Sequence, residues 1–136
     1  MTPNLFRYSC RVTYAQCTVG NHIYYARYLD ILEAARGEFM RELGMPLGVL
    51  QEQDTIFPVI GVELSYKAAA RYDDVLTTEV WIVECGGVRV NFGCRILKED
   101  GTLILEGVTK HVCTSREEKP KRIPKEITEK LTAYLH

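Results

Sequence analysis

The hydrophobic pattern of the chain contains one long helical stretch. From about residue 23 to residue 43, apolar side chains recur at spacings of three and four, and charged side chains fill much of the other side. Asn21 can cap the start of this helix, Gly44 can adopt the left-handed conformation after its last turn, and Pro46 follows where no helix can continue. The pattern predicts an amphipathic helix that packs its apolar side against a second layer.

Five other segments are typical of β-strands. They are rich in Val, Ile, Leu, Thr or aromatic residues and comprise residues 6–14, 56–67, 75–85, 88–98 and 102–114. The short connections at Gly86-Gly87 and at residues 99–101 can join only antiparallel strands, and residues 72–74 form a polar corner. A short amphipathic helix is predicted after Pro124.

These elements predict an α+β fold in a single domain over residues 1–136. A meandering antiparallel sheet of five long strands and one long helix must bury their apolar faces against each other, so we expect the sheet to wrap around the central helix. The edges of such a sheet are normally covered by partners, which predicts a homo-oligomer.

Composition and charge exclude several classes of protein. Because 17 Lys and Arg stand against 18 Asp and Glu, the net charge of -1 provides no basic field for nucleic-acid phosphates. The chain starts without a secretory signal and contains no apolar run of about 20 residues, so we expect a cytoplasmic protein without a membrane partner. The five cysteines are scattered, and no GxSxG, GxGxxG, P-loop or HExxH motif occurs, so we expect no metal and no cofactor.

A set of short motifs accompanies this order of elements. RVTY ends the first strand, Gly20 precedes the aromatic pair Tyr24-Tyr25, Glu33 lies inside the helix, and ARYDDVLTTEV occupies residues 70–80. Together they resemble the hotdog-fold acyl-CoA thioesterases of the 4-hydroxybenzoyl-CoA thioesterase family over nearly the whole chain. The resemblance implies that two protomers join their sheets into one, that dimers can pair into homotetramers, and that active sites lie between protomers.

The resemblance also implies a reaction, the hydrolysis of an acyl-CoA or acyl-carrier-protein thioester. It assigns the carbonyl-polarising group to the backbone N–H of Tyr25, which fits a helix start, where the first N–H groups lack partners and carry the positive end of the dipole. The family usually places an acidic residue where this chain has Thr18. A hydroxyl cannot act as a carboxylate, although it can orient water or the thioester.

Two residues are candidates for the base that activates water. Glu33 aligns with an acidic position of the resembling enzymes, and the alternative for it is a structural ion pair or hydrogen bond across the dimer. His22 can accept a proton in its neutral form, although a loop histidine more often caps a helix or is solvated. His111 lies inside a predicted strand and is interpreted as structural.

Substrate-binding residues are expected near the helix start and at strand ends. The resemblance places Asn21 and Tyr24 in the site, with simple aromatic packing as the alternative for Tyr24, and Ile60 is expected to shape the acyl pocket. The phosphates of coenzyme A require cations, and the candidates near strand ends are Lys67, Arg71 and Arg89. The basic residues after position 115 are either a further part of this phosphate site or a solvated face.

The missing acid at Thr18 motivates a rival hypothesis. In this hypothesis the chain is a non-catalytic or weakly active hotdog module that binds an acyl thioester or another small hydrophobic ligand. A dehydratase that acts on acyl-CoA is a third hypothesis.

Overall fold

A computed structural model describes residues 4–136. Its strands and helices, in chain order, are β1 (Phe6–Arg11), α1 (Tyr28–Glu42), α2 (Leu47–Glu52), β2 (Val59–Tyr66), β3 (Val75–Gly86), β4 (Arg89–Lys98), β5 (Leu103–Val112) and α3 (Lys125–Thr132). The predicted α+β class is confirmed, as are the long helix, the five strands and the short C-terminal helix.

The five strands form one antiparallel sheet in the order β1-β3-β4-β5-β2. The hairpins β3-β4 and β4-β5 turn at Gly86-Gly87 and at residues 99–101, as predicted. The expectation of a simple meander is wrong for β2, which pairs with β5 at the far edge rather than with β3. An alternating pattern identifies a strand but carries no information about its neighbour, so β2 could not be placed from its own residues.

The inner face of the sheet packs against α1. The helix buries Tyr28, Ile31, Leu32, Ala35, Phe39 and Met40. Phe39 stacks on Phe6 of β1 with ring centroids 5.3 Å apart, and Ala35, which is completely buried, lets the sheet approach the helix closely. Helix α3 adds Ile127 and Leu131 to the same core. The sheet therefore wraps the central helix as expected.

Several predicted boundaries need correction. The α-helix begins at Tyr28, because Ile23 and Tyr24 are extended and Tyr25–Arg27 form a 3₁₀ turn. Asn21 does not cap it, since its φ of 61° places it in the left-handed region of a separate turn. Strand β1 ends at Arg11 rather than near Tyr14.

Helix α2 was not predicted. It has six residues and buries only Leu50, so it shows no helical periodicity in the sequence. In the part of the chain that the structure describes, no helix has both the length and the apolarity that crossing a membrane requires.

Candidate active site

The loop before α1 folds back on itself between Thr18 and His22. The backbone N–H of Thr18 donates to the His22 carbonyl at 2.8 Å, and that of Asn21 donates to the Thr18 carbonyl at 3.1 Å. The turn requires Gly20, whose φ is 82° and whose missing side chain leaves room for the His22 imidazole. Thr18, Asn21 and His22 thereby lie on one exposed turn.

The polar corner before β3 anchors this loop. Ile23 donates its N–H to the Ala70 carbonyl at 3.0 Å, and the Tyr28 hydroxyl accepts from the Ala70 N–H at 3.1 Å. His22 pairs with Arg71 through an isolated backbone bridge. The structure thus brings the predicted cation Arg71 next to the predicted catalytic loop.

The amide of Tyr25 is available at the start of the helical run. Tyr24 donates its N–H to the Gln16 carbonyl, and the Tyr25 carbonyl accepts from the Tyr66 hydroxyl at 3.0 Å. By contrast, the N–H of Tyr25 donates to no acceptor within residues 4–136. Tyr25 is 64% exposed, and its ring lies 4.9 Å from that of Tyr24. The proposed oxyanion donor is unpaired, and its catalytic role stays a prediction.

An apolar cavity of about 140 Å³ lies between α1 and the neighbouring strands β5 and β2. Its lining residues are Leu29, Leu32, Glu33, Arg36, Val59, Val62, Thr109 and His111. Residues 29, 32, 33 and 36 follow one another at helical spacing, so the cavity extends along one side of α1.

Glu33 and Arg36 form an ion pair at this cavity. The Arg36 Nη2 donates to both carboxylate oxygens of Glu33 at 2.8 and 3.0 Å. The Glu33 side chain is 63% exposed, whereas that of Arg36 is only 13% exposed. This pair lies within one helix, whereas the alternative for Glu33 was a contact across the dimer, and it orients the carboxylate at the solvent side of the cavity. A role of Glu33 as base stays a prediction.

His111 closes the inner side of the cavity. Its Nδ1 lies 2.9 Å from Arg36 Nη1, and its Nε2 lies 3.0 Å from the Thr109 hydroxyl. Burial of the ring, together with the charge of Arg36, lowers the pKa of His111 from 6.5 to about 4, so the imidazole is neutral at pH 7. The contact between Arg36 and His111 was not predicted, because the spacing of Arg36 three residues after Glu33 indicates only the ion pair within the helix.

The other predicted binding residues do not all converge within one chain. Ile60 lies on β2 and is 56% exposed. Lys67 follows β2 and donates its N–H to the Ile104 carbonyl, whereas Arg89 pairs with Val112 at the other end of β5. The two cations are thus separated by about 25 Å along the strand. At the Arg89 end, Arg122 and Lys125 line a cavity of about 440 Å³ next to Gly86-Gly87.

The wrapped helix, the single antiparallel sheet and the cleft along the helix start define a hotdog-fold domain. A family model described as the thioesterase-like superfamily matches residues 12–131, and the chain belongs to this superfamily. It is 35% identical over 130 residues to the acyl-CoA thioesterase YbgC of Haemophilus influenzae, with 93% of this chain and 94% of that protein covered.

Further relatives agree with this assignment. The chain is 32% identical over 128 residues to the acyl-CoA thioester hydrolase YbgC of Escherichia coli O157:H7, covering 93% of this chain and 96% of that protein. The crystal structure of a hypothetical protein from Aquifex aeolicus superposes with a TM-score of 0.88 at 28% identity, covering 93% of this chain and 98% of that one. The hotdog fold predicted from the resemblance is therefore confirmed.

Proposed function

We propose that this protein hydrolyses acyl-CoA thioesters to a carboxylic acid and a free thiol. The observation that carries the proposal is the N–H of Tyr25, which has no acceptor within residues 4–136 and stands at the exposed start of a helix. The names of the relatives at 32 and 35% identity favour hydrolysis over a non-catalytic binding module.

The Tyr25 amide supplies the first requirement of the reaction. An N–H at the positive end of a helix stabilises the oxyanion that develops when the thioester carbonyl is attacked, and such a donor contributes about two to three orders of magnitude in rate. The thiol leaves without a strong acid because its own pKa is low, about 8.5 for a cysteine-like thiol. Hydrolysis therefore needs one further group, a base for water.

Glu33 is our first candidate for the base that activates water, and His22 is the second. Glu33 lines the apolar cavity and its carboxylate is oriented by Arg36. His22 is exposed on the loop, and its backbone pairs with Arg71. Thr18, beside His22, can orient water or the thioester through its hydroxyl.

Helix geometry supports an active site that is shared by two chains. Eight residues separate Tyr25 from Glu33, a rise of about 12 Å along the helix. The carboxylate of Glu33 is moreover turned forward towards Arg36, away from Tyr25. One thioester carbon is better served by Tyr25 of one subunit and Glu33 of the partner subunit.

We propose that the partner subunit binds along the edge strand β2. Within the described chain its outer edge pairs with no strand, and it exposes Val59, Ile60, Val62 and Tyr66. At the opposite edge of the sheet, Leu135 bridges to Ile82 of β3 where β3 extends past the end of β1. Pairing of two β2 edges would give a homodimer, and two dimers a homotetramer.

The remaining parts of the proposal concern the coenzyme and the compartment. Lys67 and Arg71 lie on the side of Tyr25 and would contact the phosphates of coenzyme A, together with Asn21 and Tyr24. Arg89 can join them only from another subunit. A cytoplasmic location is supported by five cysteines that are all free thiols.

Substitution of Tyr25 by proline tests the oxyanion donor. Proline removes the N–H, is tolerated at the first position of a helix, and suits the extended Tyr24, whose φ and ψ are -60° and 130°. We expect Tyr25→Pro to lower kcat about 100- to 1,000-fold, as measured by thiol release from short, long and aromatic acyl-CoAs.

The matched control is Tyr25→Ala, which lacks the ring but keeps the N–H. It should retain most of the parent rate. Equal rates for the two variants would remove Tyr25 from the mechanism, and a parent that releases no thiol from any acyl-CoA of the panel would refute the hydrolase proposal.

A second pair of variants separates the two candidate bases. Glu33→Gln keeps the shape of the side chain but cannot accept the proton, so we expect a loss of kcat of about 100- to 10,000-fold. His22→Ala should reduce kcat much less. The opposite order would transfer the role of base to His22, and full activity of both variants would exclude both residues.

A further inference from the structure

Two cavities of the structure share the side chain of Arg36. The apolar cavity along α1 measures about 140 Å³, and a second cavity of about 240 Å³ lies behind it, next to α2 and residues 55–58. Arg36 is the residue that lines both of them. Its side chain therefore forms part of the wall between the two cavities.

Three contacts hold this side chain in place. Nη1 donates to the Phe57 carbonyl at 3.1 Å and to His111 Nδ1 at 2.9 Å, and Nη2 donates to Glu33. The Nε of Arg36 is buried and has no partner in the described part of the chain. An unsatisfied buried donor costs free energy, so the position of Arg36 between the two cavities carries that cost.

We propose that Arg36 sets the maximum length of the acyl chain. This inference rests on the proposed function, in which Glu33 activates the water, and it adds that the acyl group of the thioester enters the apolar cavity lined by Glu33. The chain ends against the guanidinium, because methylene groups pushed against it would strip the charge of its polar contacts. Beyond Arg36 the second cavity offers the apolar side chains of Leu47, Ile56 and Pro58.

Removal of the dividing side chain should lengthen the acyl group that the protein accepts. The experiment compares the parent with Arg36→Ala and measures kcat/KM for saturated acyl-CoAs from two to twelve carbons. In parallel, calorimetry gives the Kd of the corresponding S-alkyl-CoA thioethers, which lack the carbonyl and are not hydrolysed. We expect the longest productive chain to grow by at least two carbons, with affinity rising about four-fold for each added methylene.

Two controls separate a change of length from general damage. Arg36→Lys keeps a long cationic side chain and should keep the parent length profile. In the Arg36→Ala background, Leu47→Phe refills the second cavity and should abolish the gain. If Arg36→Ala fails to fold, Arg36→Gln replaces it, since its amide N–H groups can still donate to the Phe57 carbonyl.

The outcomes distinguish this inference from the proposed function. An unchanged thioether length profile in a folded Arg36→Ala or Arg36→Gln variant overturns the role of Arg36, whatever the activity. A parent that hydrolyses no thioester while the thioether profile shifts would overturn the hydrolase proposal alone and leave the length limit in place.

Discussion

Arg36 and the Phe57 carbonyl both contact the buried ring of His111. Arg36 Nη1 lies 2.9 Å from His111 Nδ1 and donates to the Phe57 carbonyl at 3.1 Å, and the same carbonyl oxygen lies 3.0 Å from Nδ1. A guanidinium can only donate, so Nδ1 accepts from Arg36 when the ring proton is on Nε2, which then donates to the Thr109 hydroxyl at 3.0 Å. In either neutral tautomer, a second ring proton would place a positive charge next to the guanidinium.

We expect this arrangement to make the protein sensitive to mild acid. Burial and the charge of Arg36 lower the pKa of His111 from 6.5 to about 4, and the hydrogen bond to the Phe57 carbonyl and the charge of Glu33 oppose the effect. Between these values the unfolded chain binds a proton that the folded chain does not. The free energy of unfolding should thus be highest above pH 6.5 and fall by about 3 kcal/mol as the pH decreases to 4.

Urea denaturation at a series of pH values measures this loss. His111→Gln has no group that titrates in the range, so the part of the slope due to His111 should disappear in this variant. His22→Ala, which removes an exposed histidine, serves as the control and should keep the slope of the parent. An identical slope for the parent and His111→Gln would contradict the assignment.

At the scale of elements, the contact between β5 and the edge strand β2 depends on a glycine. Gly107 of β5 is paired with Leu64 of β2, and a Cβ at Gly107 would overlap the carbonyl oxygen of Glu63. The overlap involves backbone, which cannot move aside as a flexible side chain can. Only glycine allows β2 to approach β5 closely enough to complete the sheet.

Gly107→Ala should accordingly destabilise the protein. We expect a loss of about 1–3 kcal/mol in the free energy of unfolding, as for other insertions of volume into packed structure. Gly86→Ala is the matched control, because a Cβ at this strand glycine meets open space. Equal denaturation midpoints for the two variants would show that β2 can shift without cost.

Most helices and strands could be predicted from the sequence, but which strands pair with each other could not. The long helix and the strands β3, β4 and β5 have strong periodicity and short turns, so local residues determine them. The position of β2 at the far edge depends on pairing with β5, forty residues away in the chain, for which the pattern of β2 offers no signal. Helix α2 is too short to show a period.

The candidate site was predictable to a similar extent. The motif around Gly20 and Tyr25 located the loop through the family resemblance, although the α-helix begins at Tyr28 and not at the predicted cap Asn21. The cluster of Arg36, Phe57 and His111 joins three separate elements, and its members are ordinary residues in their own segments. Arg36 belongs by its spacing to the charged side of the helix, and only the tertiary structure shows that it is mostly buried.

At the scale of the whole molecule, the proposed active site cannot be completed within a single subunit. Tyr25 and Glu33 of one chain are about 12 Å apart along the helix. We therefore expect Tyr25 of one chain to act together with Glu33 of the two-fold related chain. A symmetric dimer would then contain two sites, each with one Tyr25 amide and one Glu33 carboxylate from different chains. This arrangement can be tested without a structure of the dimer.

Mixing two inactive variants should restore activity. In a mixed dimer of Tyr25→Pro and Glu33→Gln chains, both defects fall in one site and the other site is intact. After equal mixing and random subunit exchange, about a quarter of the parent thiol-release rate should return, since half of the dimers are mixed. Tyr25→Pro mixed with the Tyr25→Pro, Glu33→Gln double variant has no intact site and should stay inactive. If the first mixture also stays inactive although differently tagged chains show that subunits exchange, both groups act within one chain, and the β2 edge is not needed to build the active site.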